Sequence, residues 1–194
     1  MPDFSDWTQQ IEIIGVFLSF VYLYLVIKEN KWCWWFGIAG SAVSIFLFVH
    51  SKLYAEALLY SYYVGIGFYG LWLWTRKNPE KTLQVSQLAM AAQLKWIGIG
   101  VAGSLGLGYF LDRYTDADKA YLDSTTTIFS FIASYFEAKK YLSAWTYWIL
   151  INAVTIFLYF SKGLHYYAGM QVIYTVFSVV GYYQWKKQLS PVLR

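Results

Sequence analysis

Apolar residues in this chain neither alternate nor keep to one helical stripe. They run in long blocks, broken by short polar or basic stretches. The blocks are Ile11–Ile27, Trp32–Val49, Leu53–Thr75, Leu94–Leu111, Tyr121–Ala138, Ala144–Phe160 and Tyr166–Trp185. About 20 apolar residues in a helix span the roughly 30 Å hydrocarbon core of a bilayer. Blocks near that length with almost no charge predict seven membrane-spanning helices. Backbone N–H and C=O groups in lipid find no water, and a helix satisfies them internally. The expected fold class is an all-α integral membrane protein, a single membrane domain over residues 1–194. Connections are short except for Arg76–Gln93, which reads as an amphipathic surface stretch, and Asp112–Lys119.

The blocks also repeat. At a constant offset of 111 residues, Trp145 falls on Trp34, Ile156-Phe157-Leu158 on Ile45-Phe46-Leu47, and Leu164 on Leu53. Ala168 falls on Ala57, Tyr174 on Tyr63, Gly181 on Gly70 and Trp185 on Trp74. Upstream, Asp123 falls on Glu12, Ser130 on Ser19, Tyr135 on Tyr24 and Lys139 on Lys28. A gapless offset across three helices signals a duplicated unit. Repeat one covers 11–75 and repeat two 121–185, with the span 94–111 between them and without a counterpart. Three helices leave the chain on the far side of the membrane, so a fourth must return it before a like-facing copy begins. The plan is 3+1+3, two parallel repeats related by an axis along the membrane normal. The fourth span carries small residues at four-residue spacing, Gly98-Ala102-Gly106 and Gly100-Ser104-Gly108. Such faces let helix backbones approach closely.

Composition sharpens this picture. Of 194 residues, 58% are hydrophobic and 13% charged, against roughly a quarter charged in soluble domains. Aromatics reach 22%, more large rings than a water-soluble core of this size would bury. The net charge of +4 comes from clusters in the connections, which is a topology signal and not a nucleic-acid surface. Lys28, Lys31, Arg76, Lys77, Lys81, Lys139, Lys140, Lys186, Lys187 and Arg194 fall on one side, with Lys95 at its edge. Lys52, Arg113, Lys119 and Lys162 fall on the other. By the positive-inside rule the richer side is cytoplasmic, the N-terminus outside and the C-terminus inside. The N-terminal MPDFSDWTQQ has no basic region ahead of its apolar block, so the first helix is expected to act as its own insertion signal.

Enzyme signatures are missing. There is no Walker A motif, no Gly-rich dinucleotide fingerprint, and one cysteine, Cys33, which excludes an internal disulfide and a multi-cysteine metal site. His50 and His165 fall in outer-side turns and read as interfacial rings. The expectation is a non-enzyme with no cofactor and no metal.

Candidate chemistry gathers on the sixth block. Trp145, Trp148 and Asn152 are spaced by three and four, which puts them on one helical face. A buried amide in hydrocarbon costs several kcal/mol unless it is bonded. Asn152 therefore makes either an interhelical hydrogen bond or an orienting bond to a small polar ligand under two indole faces. Tyr60 and Gln171 are repeat mates at mid-membrane depth, as are Tyr63 and Tyr174 one turn deeper. Ser41 is the mate of Asn152. Glu12 and Asp123, also mates, read as interface-level carboxylates. Glu56 sits one turn into the third helix, and Glu137, next to Lys139 and Lys140, reads as a snorkelling pair at the cytoplasmic end.

The pattern Trp145-x-x-Trp148-x-x-x-Asn152 resembles the signature of PnuC-type vitamin transporters. So do Leu53-Tyr54-Ala55 at the entry of the third helix, Tyr69-Gly70 with Trp72 and Trp74 at its exit, and Asp123-Ser124 at the head of the fifth. The resemblance spans nearly the whole chain. It implies a SWEET-like 3+1+3 fold in the bacterial inner membrane. It further implies facilitated diffusion of nicotinamide riboside or, in some branches, thiamine. A separate cytoplasmic vitamin kinase would trap the import, and the oligomer would be a homotrimer. On this resemblance the nicotinamide riboside branch carries amides in helices two and three, where this chain has Ser41, Tyr60 and Gly67. Glu56 and Glu137 stand where that branch is neutral. Both vitamins are cationic aromatics that suit an aromatic cage, at roughly 0.5–2 kcal/mol per ring. Lost ribose-directed amides and gained carboxylates favour thiamine, with nicotinamide riboside the alternative. The expected substrate-binding residues are Trp145, Trp148, Asn152, Gln171, Tyr174, Tyr60, Tyr63 and Ser41. Glu12, Asp123, Glu56, Glu137 and Trp34 are expected at a gate or rim. A second class of function is a membrane-embedded subunit that binds the vitamin without moving it. The lack of an output domain after Trp185 reads against it.

Overall fold

A computed structural model describes residues 6–50, 54–76, 83–115, 119–161, 163 and 165–189, with the side chains of 6–9, 12, 54–56 and 166 outside the description. Seven helices follow one another: α1 (Asp6–Ile27), α2 (Cys33–His50), α3 (Tyr54–Thr75), α4 (Met90–Tyr114), α5 (Ala120–Ala138), α6 (Ser143–Ser161) and α7 (His165–Lys187). Each apolar block is a helix. The largest differences are at N-terminal ends, where α1 takes in Asp6–Gln10 and α4 takes in Met90–Gln93. Helical hydrogen bonding simply continues past the apolar edge. By length and hydropathy α2, α4 and α6 are each apolar enough to cross a membrane alone. The other four have 22, 22, 19 and 23 residues, long enough to span, but carry more hydroxyl, amide and acidic groups.

The polarity of the described residues is that of a protein solvated by lipid. Large apolar side chains point outward, among them Phe17, Leu58, Leu105, Leu150 and Phe157. Polar ones point inward, among them Ser41, Ser124, Ser134, Asn152 and Ser178. Several buried hydroxyls turn back onto their own helices. Ser124 Oγ donates to Ala120 O at 2.6 Å, Ser134 Oγ to Ser130 O at 2.8 Å and Thr155 Oγ1 to Ile151 O at 2.9 Å. This spends each donor at no cost in backbone bonds.

The chain forms two compact units, Met1–Leu83 and Gln84–Arg194. In the first, α2 packs on both α1 and α3. Trp34, at the start of α2, is 2% exposed, with its ring edge-on to Trp74 at 5.4 Å and 87°. The close approach needs a glycine: a Cβ on Gly70 of α3 would fall inside the Trp34 ring.

In the second unit, α6 packs on both α5 and α7, and α4 packs on α5. The same device recurs 111 positions on. Trp145 and Trp185 lie 5.3 Å apart at 90°, and a Cβ on Gly181 would stand 2.6 Å from the Trp145 ring. α4 turns Gly100, Ser104 and Gly108 inward, onto Phe129, Ile132 and Tyr121 of α5. Its other small stripe is exposed, with open space beside Gly98 and Gly106.

Of the stretch before α4, residues 77–82 lie outside the described residues, and beyond them Gln84 and Gln87 are exposed while Val85 turns inward. Val85 is 2% exposed. Ser86 pairs with the α5–α6 turn: its N–H donates to Lys140 O at 3.1 Å, and Leu142 N–H donates back to Ser86 O at 2.9 Å. Lys140 takes φ 55 to present that carbonyl.

Candidate functional site

The sixth helix does not offer one face to one partner. On a helix Trp145 and Asn152 lie about 20° apart, with Trp148 about 40° beyond Asn152. Two neighbours divide that stripe. Trp145 turns to α7, where Gly181 and Trp185 enclose it. Asn152 also turns to α7, its Nδ2 donating to Ser178 Oγ at 3.3 Å, while Ser178 Oγ donates to Tyr174 O at 2.8 Å. Trp148 turns the other way and donates from Nε1 to Glu137 Oε2 of α5 at 2.7 Å.

Three of the expected site residues lie in closed surroundings. Trp145, expected to stack on a ligand, is 1% exposed. Trp34, expected at a rim, is enclosed in the same manner by Gly70, Trp74 and Tyr22. Neither indole N–H has a hydrogen-bond partner among the described residues, so ring packing holds both. Glu137, expected to snorkel, is 2% exposed. Its carboxylate is drawn inward by the Trp148 donor, while Lys139 Nζ lies 5.8 Å from the Tyr135 ring.

Trp148 is partly exposed and packs against the core cluster that α5 and α6 form around Phe136 and Tyr147. Gln171, half-buried on α7, has a buried Oε1 with no hydrogen-bond partner among the described residues. Tyr174 is half-buried one turn on, and its carbonyl anchors Ser178. The second unit thus brings Asn152, Ser178 and Tyr174 into one bonded chain on α6 and α7, with Gln171 one turn away.

In the first unit, Ser41 is buried. Tyr60 and Tyr63 are in edge contact at 5.6 Å, and Tyr60 lies 5.3 Å from Phe48 of α2. Asp123 lies in the first turn of α5, where the helix dipole favours an anion. Glu12 and Glu56 lie outside the described side chains. His50 stacks on Phe46 and His165 meets Phe160 edge-on, both as exposed rings at helix ends. No cluster of three or more His, Cys, Asp or Glu able to hold a metal occurs among the described residues. Sequence reasoning missed Ser178. A serine beside Val179 and Val180 carries no signal until α7 is seen to put it against an amide.

The buried polar side chains of the described residues are Ser, Thr, Asn and one Glu, with no Lys or Arg. Such an interior can hold hydroxyls, amides and cationic rings, and it has no counter-charge for a phosphate.

Comparison with known proteins agrees with a carrier. The family model described as "Nicotinamide mononucleotide transporter" matches residues 9–187. The nicotinamide riboside transporter PnuC of Escherichia coli is 20% identical, over 90% of this chain and 84% of that one. The riboflavin/roseoflavin transporter RibM of Streptomyces davaonensis is 20% identical, over 94% of this chain and 89% of its own. The crystal structure of the vitamin B3 transporter PnuC superposes with a TM-score of 0.65 at 21% identity, covering 97% of this chain and 94% of that one. None of these relatives is named for thiamine, so the preference for thiamine finds no support, whereas the nicotinamide riboside alternative does.

Proposed function

The chain belongs to the nicotinamide mononucleotide transporter family, and from that premise we propose that it carries nicotinamide riboside through the membrane by facilitated diffusion. It is a vitamin transporter of the PnuC type and not an enzyme.

One observation carries the choice of cargo. Among the described residues the buried polar set combines amide and hydroxyl groups with a carboxylate and holds no Lys or Arg. A phosphate taken out of water without a paired cation faces a desolvation cost of several kcal/mol. The unphosphorylated riboside carries only a delocalised positive ring, whose desolvation aromatic faces can offset. Its pyridinium would lie on Trp148, whose ring is partly open. Its amide and ribose hydroxyls would bond Asn152 and Gln171, with Tyr174 beside them. Trp145 and Trp34 would hold helix pairs together instead of touching cargo.

The two triplets α1–α3 and α5–α7 are read as copies of one unit. The support is the matched tryptophan–glycine–tryptophan packing at a fixed offset. The absence of a charged cluster for a coupling ion among the described residues fits downhill movement. Accumulation then falls to a separate cytoplasmic kinase, since a phosphorylated product would not return through such an interior.

Uptake of labelled nicotinamide riboside, thiamine and riboflavin into liposomes tests the reading, with no ion gradient imposed. Saturable uptake of nicotinamide riboside is expected, with nicotinamide mononucleotide excluded. Uptake of thiamine or riboflavin in its place would overturn the choice of cargo. Binding without counterflow would favour a non-transporting subunit.

A further inference from the structure

Glu137 is a buried carboxylate that holds the Trp148 N–H. It lies one residue from the C-terminal end of α5 and is 2% exposed. The negative end of a helix dipole disfavours an anion there. Its counterpart 111 residues earlier is Val26, 0% exposed, so the first triplet fills the same place with an apolar side chain. The neighbourhood differs in one further way. Trp148 corresponds to Gly37, and in the first unit the room above Gly37 is taken by the Tyr22 ring of α1, 2.9 Å from where a Cβ would stand. One triplet thus packs a tyrosine from its first helix. The other packs a tryptophan from its middle helix and holds that ring's N–H on a carboxylate at 2.7 Å.

We propose that Glu137 is a specificity-determining positioning residue. Through its hydrogen bond it fixes the Trp148 indole and enriches its π face, so that the transporter prefers a cationic aromatic ring over the neutral form of the same ring. The inference rests on the reading that Trp148 meets the cargo. Glu137 itself does not touch it. A hydrogen bond from N–H to a carboxylate is stronger than one to a neutral acceptor. It pushes electron density into the indole, and the attraction of the ring face for a cation grows with that density.

The experiment compares two cargoes that differ in ring charge: nicotinamide riboside, a cation, and its dihydropyridine form, which is neutral with the same ribose and amide. Uptake by the full-length transporter in liposomes is measured against concentration. Glu137→Gln keeps an acceptor oxygen and removes the charge. It is expected to raise the half-saturation concentration for the cation about fivefold to tenfold, while the neutral form changes less than about twofold and the maximal rate holds. Trp148→Phe, which has no N–H, should lose the same preference, and Glu137→Gln should add nothing to it. A Glu137→Gln variant that weakens both cargoes equally, or whose effect persists beside Trp148→Phe, overturns the inference and leaves the transport reading standing. Wild-type protein that carries neither cargo overturns both.

Discussion

Asn152 shows how a single residue can be read correctly in kind and still leave its partner open. An amide inside an apolar run must be bonded, and it is bonded to Ser178 at 3.3 Å. That distance is long for a hydrogen bond, and a hydroxyl already donating to Tyr174 O is a replaceable acceptor. We therefore expect Ser178→Ala to leave uptake of nicotinamide riboside within about twofold, since a bond of this kind inside a membrane protein is worth roughly 0.6 kcal/mol. Asn152→Ala should lower uptake about tenfold or more, the loss of an orienting bond to cargo of roughly 1.5 kcal/mol. Uptake and thermal unfolding measured side by side check this. Equal losses in the two variants would make the amide a structural tie only. Glu137 was misread for a local reason. Two lysines follow within three residues, and in sequence such a group looks solvated. The indole that draws the carboxylate inward lies in the next helix.

At the scale of elements, the middle helix of each triplet is held by one tryptophan seated on a glycine of the third. In α7, Gly181 has no room for a Cβ, whereas Gly169 has nothing within 4 Å. Gly181→Ala should cost about 1–3 kcal/mol through overpacking. Gly169→Ala should be neutral or stabilise by up to about 1 kcal/mol through helix propensity. Shifts of the thermal midpoint in detergent distinguish the two, and a Gly181→Ala variant as stable as wild type would remove the packing argument. The seven helices could be read from sequence because hydrophobic length is a property of each segment alone. The seating of Val85 and Ser86 against the α5–α6 turn could not. It depends on a backbone carbonyl at Lys140 that is available only once that turn has its left-handed residue.

For the molecule as a whole, the uneven distribution of Lys and Arg sets the expected orientation, with the C-terminus in the cytoplasm. The single native cysteine, Cys33, is 0% exposed, which leaves the protein a quiet background for thiol labelling. Arg113→Cys, in the exposed last turn of α4, should react with a membrane-impermeant maleimide in intact spheroplasts. Lys187→Cys, exposed at the end of α7, should react only after lysis. The opposite pattern would invert the topology. The sequence by itself determined the number and order of the helices and the offset of 111 between matching tryptophans and glycines, because lipid imposes helix on any apolar stretch of sufficient length and an offset is a property of the residues alone. Only the tertiary structure decided that Trp145 is walled in, that Trp148 leans on Glu137 and that Asn152 meets Ser178. Residues within about 60° on one helix are shared between two neighbouring helices, and which neighbour takes which side chain depends on the room that Gly181 leaves and on the partners that Glu137 and Ser178 offer.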